Sequence, residues 1–221
     1  MGRFLRENSL TLVLLVLFAL SIVGQSITGA FEYDADQQDH GQPPIGYLQY
    51  LSTGHFVEAV FENWESEFLQ MGIYVVLTAF LHQKGSAESK PLDGKSDVDE
   101  DPRTAKNQQD VPWPVRRGGL TLNLYEHSLS LSLFALFFLS MLLHAAGGAR
   151  EYSHGQLQHG GEAVSILGYL GTSRFWFESF QNWQSEFLSI AVIVVLSIFL
   201  RERGSPESKP VAAPHADTGE S

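Results

Sequence analysis

The sequence predicts an all-α, polytopic membrane protein: four transmembrane helices forming two tandem two-span repeats, with parallel pseudo-two-fold symmetry. Three observations predict it. Four stretches almost free of charge, Asn8–Phe31, Phe68–Gln83, His127–Ala149 and Phe187–Leu200, are separated by polar, acidic segments. The chain also repeats itself. At an offset of 119, Glu7–Pro91 aligns without a gap on Glu126–Pro210, and 39 of 85 positions are identical. Self-similarity at a fixed offset marks a duplication. Finally, twelve of the fourteen Lys and Arg residues fall on one side of the expected spans, leaving only Arg150 and Arg174 on the other.

The first repeat covers residues 1–91. Its first span, about 9–31, can cross a hydrocarbon core about 30 Å thick at about 1.5 Å per residue. The run LTLVLLVLFAL is apolar all round, unlike a surface helix of a soluble bundle. Arg3 and Arg6 followed by an apolar run resemble a signal peptide. The matching stretch at Glu126–Ala149 lies mid-chain, so both are read as permanent spans. A polar loop follows, with a short helix near Ile45–Leu51 and a break near Thr53–Gly54. The second span is about 64–83.

Residues 92–119 are rich in Asp, Lys, Gln and Pro and are expected to be a disordered cytoplasmic linker. The second repeat, 120–210, holds spans of about 127–149 and 181–200. Residues 211–221 read as a disordered tail. The positive-inside rule places both termini and the linker in the cytoplasm and the two loops outside. Two spans per copy give both copies the same orientation, the parallel class of repeat.

The best-matched block is FENWESEFLQ in copy one and FQNWQSEFLS in copy two. The apolar part of each second span is short, about 26 Å from Glu67 to Lys84 and about 22 Å from Glu186 to Arg201. These helices must therefore begin within NWESEF and NWQSEF. That places Glu67 and Glu186 at the outer edge of the membrane, where an acid marks a functional site by default. Asn63 and Asn182 lie four residues earlier, on the same helical face. Trp64 and Trp183 suit the interfacial aromatic belt. Glu62 and Glu65 become Gln181 and Gln184, whereas Glu67 and Glu186 keep their charge. Glu32 and Glu151, each followed by Tyr, add a second matched pair just outside the first spans. Together these residues form a candidate ion or proton site, or a polar contact that holds helices together.

Both copies close on GSxESKP, that is Ser86, Glu88, Ser89 and Lys90, then Ser205, Glu207, Ser208 and Lys209. The Gly is a C-cap and the Pro a stop. The remaining residues read either as part of that stop or as a cytoplasmic docking motif. His40 and His159 match, each before a Gly, and read as solvated turns. No HExxH spacing occurs, and no metal site is expected. The chain has no Cys and a net charge of −11. Neither a thiolate site nor nucleic-acid binding is expected. No cofactor motif and no catalytic arrangement is present.

The strings FENWESEFLQ and GSAESKP, the FLRENSLTLVLL start and the HGQPP loop resemble a family of small bacterial integral-membrane proteins known only as a domain of unknown function. The resemblance implies a multi-pass protein of the bacterial inner membrane with duplicated two-span halves. It carries no activity or site residue. Two functions stay open. One is a structural or interaction role, with the lipid bilayer, a homo-oligomer, or a membrane or cytoplasmic protein as partner. The other is a small cation- or proton-handling channel or transporter-like element using Glu67 and Glu186.

Overall fold

The computed structural model describes residues 2–92, 96–108 and 110–219. Residues 93–95 and 109 of the expected linker and the last two residues of the expected tail lie outside them. Among the described residues every regular element is helical. The α-helices are α1 (Gly2–Glu7), α2 (Ser9–Asp39), α3 (Tyr47–Tyr50), α4 (Gly54–Phe80), α5 (Trp113–Arg117), α6 (Gly119–Glu126), α7 (Ser128–Gln158), α8 (Ile166–Leu170) and α9 (Ser173–Phe199). Short 3-10 turns cover Asp97–Asp99 and Pro102–Ala105. Helices α2 and α7 are each 31 residues long, and α4 and α9 each 27.

Three helices, α2, α7 and α9, are long and apolar enough to cross a membrane. This corrects the expectation of four. Helix α4 has the length but not the composition. Glu62, Glu65 and Glu67 fall within six residues of it, and Gln70 follows. Helix α9 carries Gln181 and Gln184 at the first two of these positions. The larger difference lies downstream, where Gln70, Met71, Gly72, Tyr74 and Ala79 of α4 stand against the more apolar Ser189, Ile190, Ala191, Ile193 and Ile198 of α9. The apolar residues of α2, including Leu10, Val13, Leu14, Leu15 and Val16, are exposed, as a lipid-facing helix requires.

At about 1.5 Å per residue, α2 and α7 are about 46 Å long. A hydrocarbon core of about 30 Å leaves polar extensions at their C-terminal ends. Helices α4 and α9 begin well before the Asn-Trp pairs. Thr53 and Thr172 cap them, accepting from the backbone N–H of Phe56 at 3.2 Å and of Phe175 at 3.3 Å. The same hydroxyls donate to the carbonyls of Tyr50 and Tyr169, both at 2.7 Å, closing α3 and α8. One threonine thus ends a short helix and starts a long one, which makes the break at this point sharp.

The chain divides into two compact units, Met1–Phe61 with Leu142–Phe175, and Glu62–Met141 with Trp176–Ser221. In the first unit, Gly54 and Gly147 let α4 and α7 touch backbone to backbone. A Cβ on Gly147 would lie 2.5 Å from the Glu58 nitrogen and 3.0 Å from the Gly54 carbonyl oxygen. Tyr50 packs over Gly29 and Tyr169 over Gly148, and any side chain at either glycine would strike the ring. Glu58 is buried. It accepts from the Tyr169 hydroxyl at 2.9 Å and lies 3.6 Å from Arg174. In the second unit, Gln70 donates across to the Glu186 carbonyl at 2.9 Å and to the Ser189 hydroxyl at 3.0 Å.

Candidate functional site

The polar extensions of α2 and α7 form a pocket in the first unit. Glu32, Asp36 and His40 recur at i, i+4 and i+8, so they share one face of α2, with Tyr33 beside them. Helix α7 contributes Glu151, His154, Gly155, Gln158 and His159. The first turns of α4 and α9 add His55 and Arg174. These residues line a cavity of about 280 Å3. Three carboxylates and four imidazoles there face one guanidinium.

Local contacts hold these groups in place. His55 Nε2 lies 3.2 Å from Glu32 Oε2, and its Nδ1 lies 3.2 Å from the Tyr50 hydroxyl. The ring also packs against Tyr33, centroid to centroid at 5.4 Å. His40 Nδ1 is 2.8 Å from the Asp36 carbonyl oxygen, and His159 Nδ1 is 2.8 Å from the Gly155 carbonyl oxygen. The two rings meet edge to face at 6.2 Å. The loops leaving α2 and α7 are tied back at corresponding positions. Asp34 Oδ1 accepts from Ile45 N–H, and Ser153 Oγ accepts from Val164 N–H, each at 2.9 Å.

The pocket's charge reaches Tyr50. Burial first, then Glu32, Glu151 and Tyr33, push its hydroxyl up from 10.0 to about 12. A raised folded value contributes stability that is fully present below pH 10 and lost as pH rises from about 10 to about 12. The melting temperature is therefore expected to fall across this window more steeply in the wild-type protein than in Tyr50→Phe. Thermal unfolding of both in detergent checks this.

Of the residues singled out from sequence, Glu32 and Glu151 line this pocket together. Glu67 and Glu186 lie outside it, near enough to one another for their charges to interact. They belong to the second unit, Glu67 exposed on α4 and Glu186 half-buried on α9. Asn63 is exposed and Asn182 half-buried, and their carbonyls accept from Ser66 at 2.7 Å and Ser185 at 2.8 Å. Trp64 is half-buried. Trp183 packs edge-on against Phe180 at 5.3 Å and Phe137 at 6.5 Å. Glu65, whose counterpart is Gln184, is fully buried. The pocket residues Asp36, His55, His154 and Arg174 are not among the candidate site residues read from sequence. The i, i+4, i+8 series Glu32, Asp36, His40 was the available signal.

The GSxESKP strings fold as turns beyond the helix ends: α4 closes at Phe80 and α9 at Phe199, so Gly85 and Gly204 are not the C-caps expected from sequence. Gly85 and Gly204 take positive φ, 85° and 90°. Ser86 and Ser205 accept from the N–H of Glu88 and Glu207 at 3.1 and 3.2 Å. Ser89 and Ser208 accept from the N–H of Gln83 and Glu202, both at 2.9 Å. Lys90 returns to the Ala79 carbonyl of α4 at 2.8 Å and pairs with Asp99 at 2.7 Å. Lys209 is buried and donates to four carbonyls: Gly85 at 2.6 Å, Asp217 at 2.8 Å, His215 at 3.1 Å and Pro214 at 3.2 Å.

No curated protein and no solved structure matches this chain. One family model does, described as a domain of unknown function (DUF6766), over residues 1–220. A match over nearly the whole length shows that the chain belongs to that family.

Proposed function

We propose that this is a multi-pass protein of the bacterial inner membrane that binds cations in the pocket at the C-terminal ends of α2 and α7. The observation that carries the reading is the lining itself. Three carboxylates and four imidazoles against one guanidinium make a site that attracts positive charge. The polar ends of two long helices hold it beyond the apolar stretches, where ions arrive from water.

Charge distribution supports an outward-facing pocket. Arg3 and Arg6 precede α2, Lys84 and Lys90 follow α4, and Arg201, Arg203 and Lys209 follow α9. The pocket lies at the opposite ends of these helices, so the positive-inside rule turns it outward and leaves the termini cytoplasmic. Corresponding contacts at Gly29–Tyr50 and Gly148–Tyr169, and the shared helix lengths, support tandem repeats with parallel pseudo-two-fold symmetry. Glu67, exposed on α4, is available to a second copy or to another membrane protein. This keeps an interaction role for the NWESEF block alongside the pocket.

The test is a thermal-shift series in detergent with chloride salts of mono- and divalent cations. Cation-dependent stabilisation is expected for the wild type, following mass action. In Glu32→Gln/Glu151→Gln it should fall by at least half. Equal stabilisation of both proteins by every cation would rule the pocket out.

A further inference from the structure

We propose that the pocket holds a divalent transition-metal ion, with His40 and His159 as its nitrogen ligands. The inference rests on the cation-binding reading of the same pocket and names the ion class. Both imidazoles have one nitrogen already committed. A backbone carbonyl only accepts, so the 2.8 Å contacts to the Asp36 and Gly155 oxygens require Nδ1–H on both rings. The remaining proton-free atom on each neutral ring is Nε2. Fixing the tautomer through Nδ1 is how proteins prepare imidazole as a ligand. The Asp36 carboxylate stands 3.6 Å from His40 Nδ1 and adds negative charge beside that ring.

The rings stand somewhat farther apart than a bound ion would hold them. The ring centroids lie 6.2 Å apart. Two imidazoles bound through Nε2 at about 2.05 Å in tetrahedral geometry put their centroids roughly 5 Å apart. A closure of about 1 Å by two exposed side chains at helix ends reaches that distance. Glu151 and His154 lie on the same lining, from which an ion would draw in an oxygen and a third nitrogen. The chain has no Cys. Imidazole with carboxylate suits zinc, cobalt, nickel or copper(II) over magnesium or calcium.

The two histidines correspond at the offset of 119, and each comes just after the last residue of a 31-residue helix. Only helices that continue past the apolar stretch bring the rings together. Both are exposed turn residues, as the sequence reading expects, and the proposed role adds to that placement. Their Gly neighbours, Gly41 and Gly160, take positive φ and turn the chain away from the rings.

Tag-free, full-length protein in detergent is titrated with Zn2+, Co2+ and Ca2+ by calorimetry, together with His40→Gln and His159→Gln. Zn2+ is expected to bind the wild type at least tenfold more tightly than Ca2+, and either variant to weaken Zn2+ by at least tenfold. The wild type with one equivalent of Cu2+ should show nitrogen hyperfine splitting in its EPR spectrum, a readout independent of variant folding. If Zn2+ and Ca2+ bind equally, the His variants change nothing, and Glu32→Gln/Glu151→Gln abolishes both, the imidazole site is overturned while the cation pocket stands. If no cation binds a monodisperse, helical wild-type protein, both fall.

Discussion

Replacing Lys209 by Met is expected to lower the stability of the detergent-solubilised protein by about 3 kcal/mol. Lys209 is 2% exposed, and its ammonium serves four carbonyl oxygens with three N–H donors. Burial, with Arg201 adding, pushes its ordinary value of 10.5 down, and Asp217 opposes the shift. The charge is therefore not favourable in itself. Its value lies in satisfying carbonyls that the fold has already taken out of water. Methionine fills the space but donates nothing, and each oxygen left unpaired costs about 1–3 kcal/mol less whatever water recovers. The expected fall in melting temperature is about 6–12 °C for a chain of this size. Lys90→Met is the comparison. Lys90 makes two contacts, one to a carbonyl and one to the exposed Asp99, and about 1 kcal/mol is expected. Equal losses in the two variants would show that the four-carbonyl cage has no special weight.

Gly147→Ala is expected to cost about 2–3 kcal/mol and to weaken cation binding in the same variant. The new Cβ meets backbone, the nitrogen and Cα of Glu58 at 2.5 and 3.0 Å, so no side chain can rotate out of its way. The first turn of α4 must move off α7, at the usual cost of overpacking. That turn carries His55, and α7 carries Glu151 four residues after Gly147. The backbone contact therefore sets the spacing of the pocket walls. Gly24→Ala is the control. Nothing lies within 4 Å of a Cβ there, and a gain of about 0.5–1 kcal/mol is expected from helix propensity alone. Calorimetric unfolding together with cation titration of the three proteins decides the point. A Gly147→Ala protein with wild-type stability would mean that the helices do not meet as described.

Much of the fold was legible because it rests on local rules. Long apolar runs gave the three spanning helices, whereas the starts of α4 at Gly54 and α9 at Ser173 come well before the expected 64 and 181. The duplication pointed to Glu32 and Glu151 as a matched pair, and the pocket unites them. What escaped notice was the polar remainder of α2 and α7. Nothing apolar marks Glu32–Asp39 or Glu151–Gln158 as helix, and the eye stops where the membrane stops. His40 and His159 are turn residues, as expected, just past these helices. The fourth span was overcounted because the apolar half of α4 resembles that of α9, while Gln70, Gly72 and Tyr74 make it less apolar than Ser189, Ala191 and Ile193 make α9. GSxESKP marked only that each helix had ended, since α4 and α9 stop five residues before the glycine. The grip of Lys209 on Gly85 was not, because it joins residues 124 apart in sequence.

The central claim is that positive charge binds at the ends of α2 and α7 rather than at Glu67 and Glu186. Anomalous scattering from crystals grown with Mn2+ or Co2+ tests it most directly. The account expects an anomalous peak within the cavity bounded by Glu32, His40, Glu151 and His159. A peak at Glu67 or Glu186 with none in that cavity would contradict it.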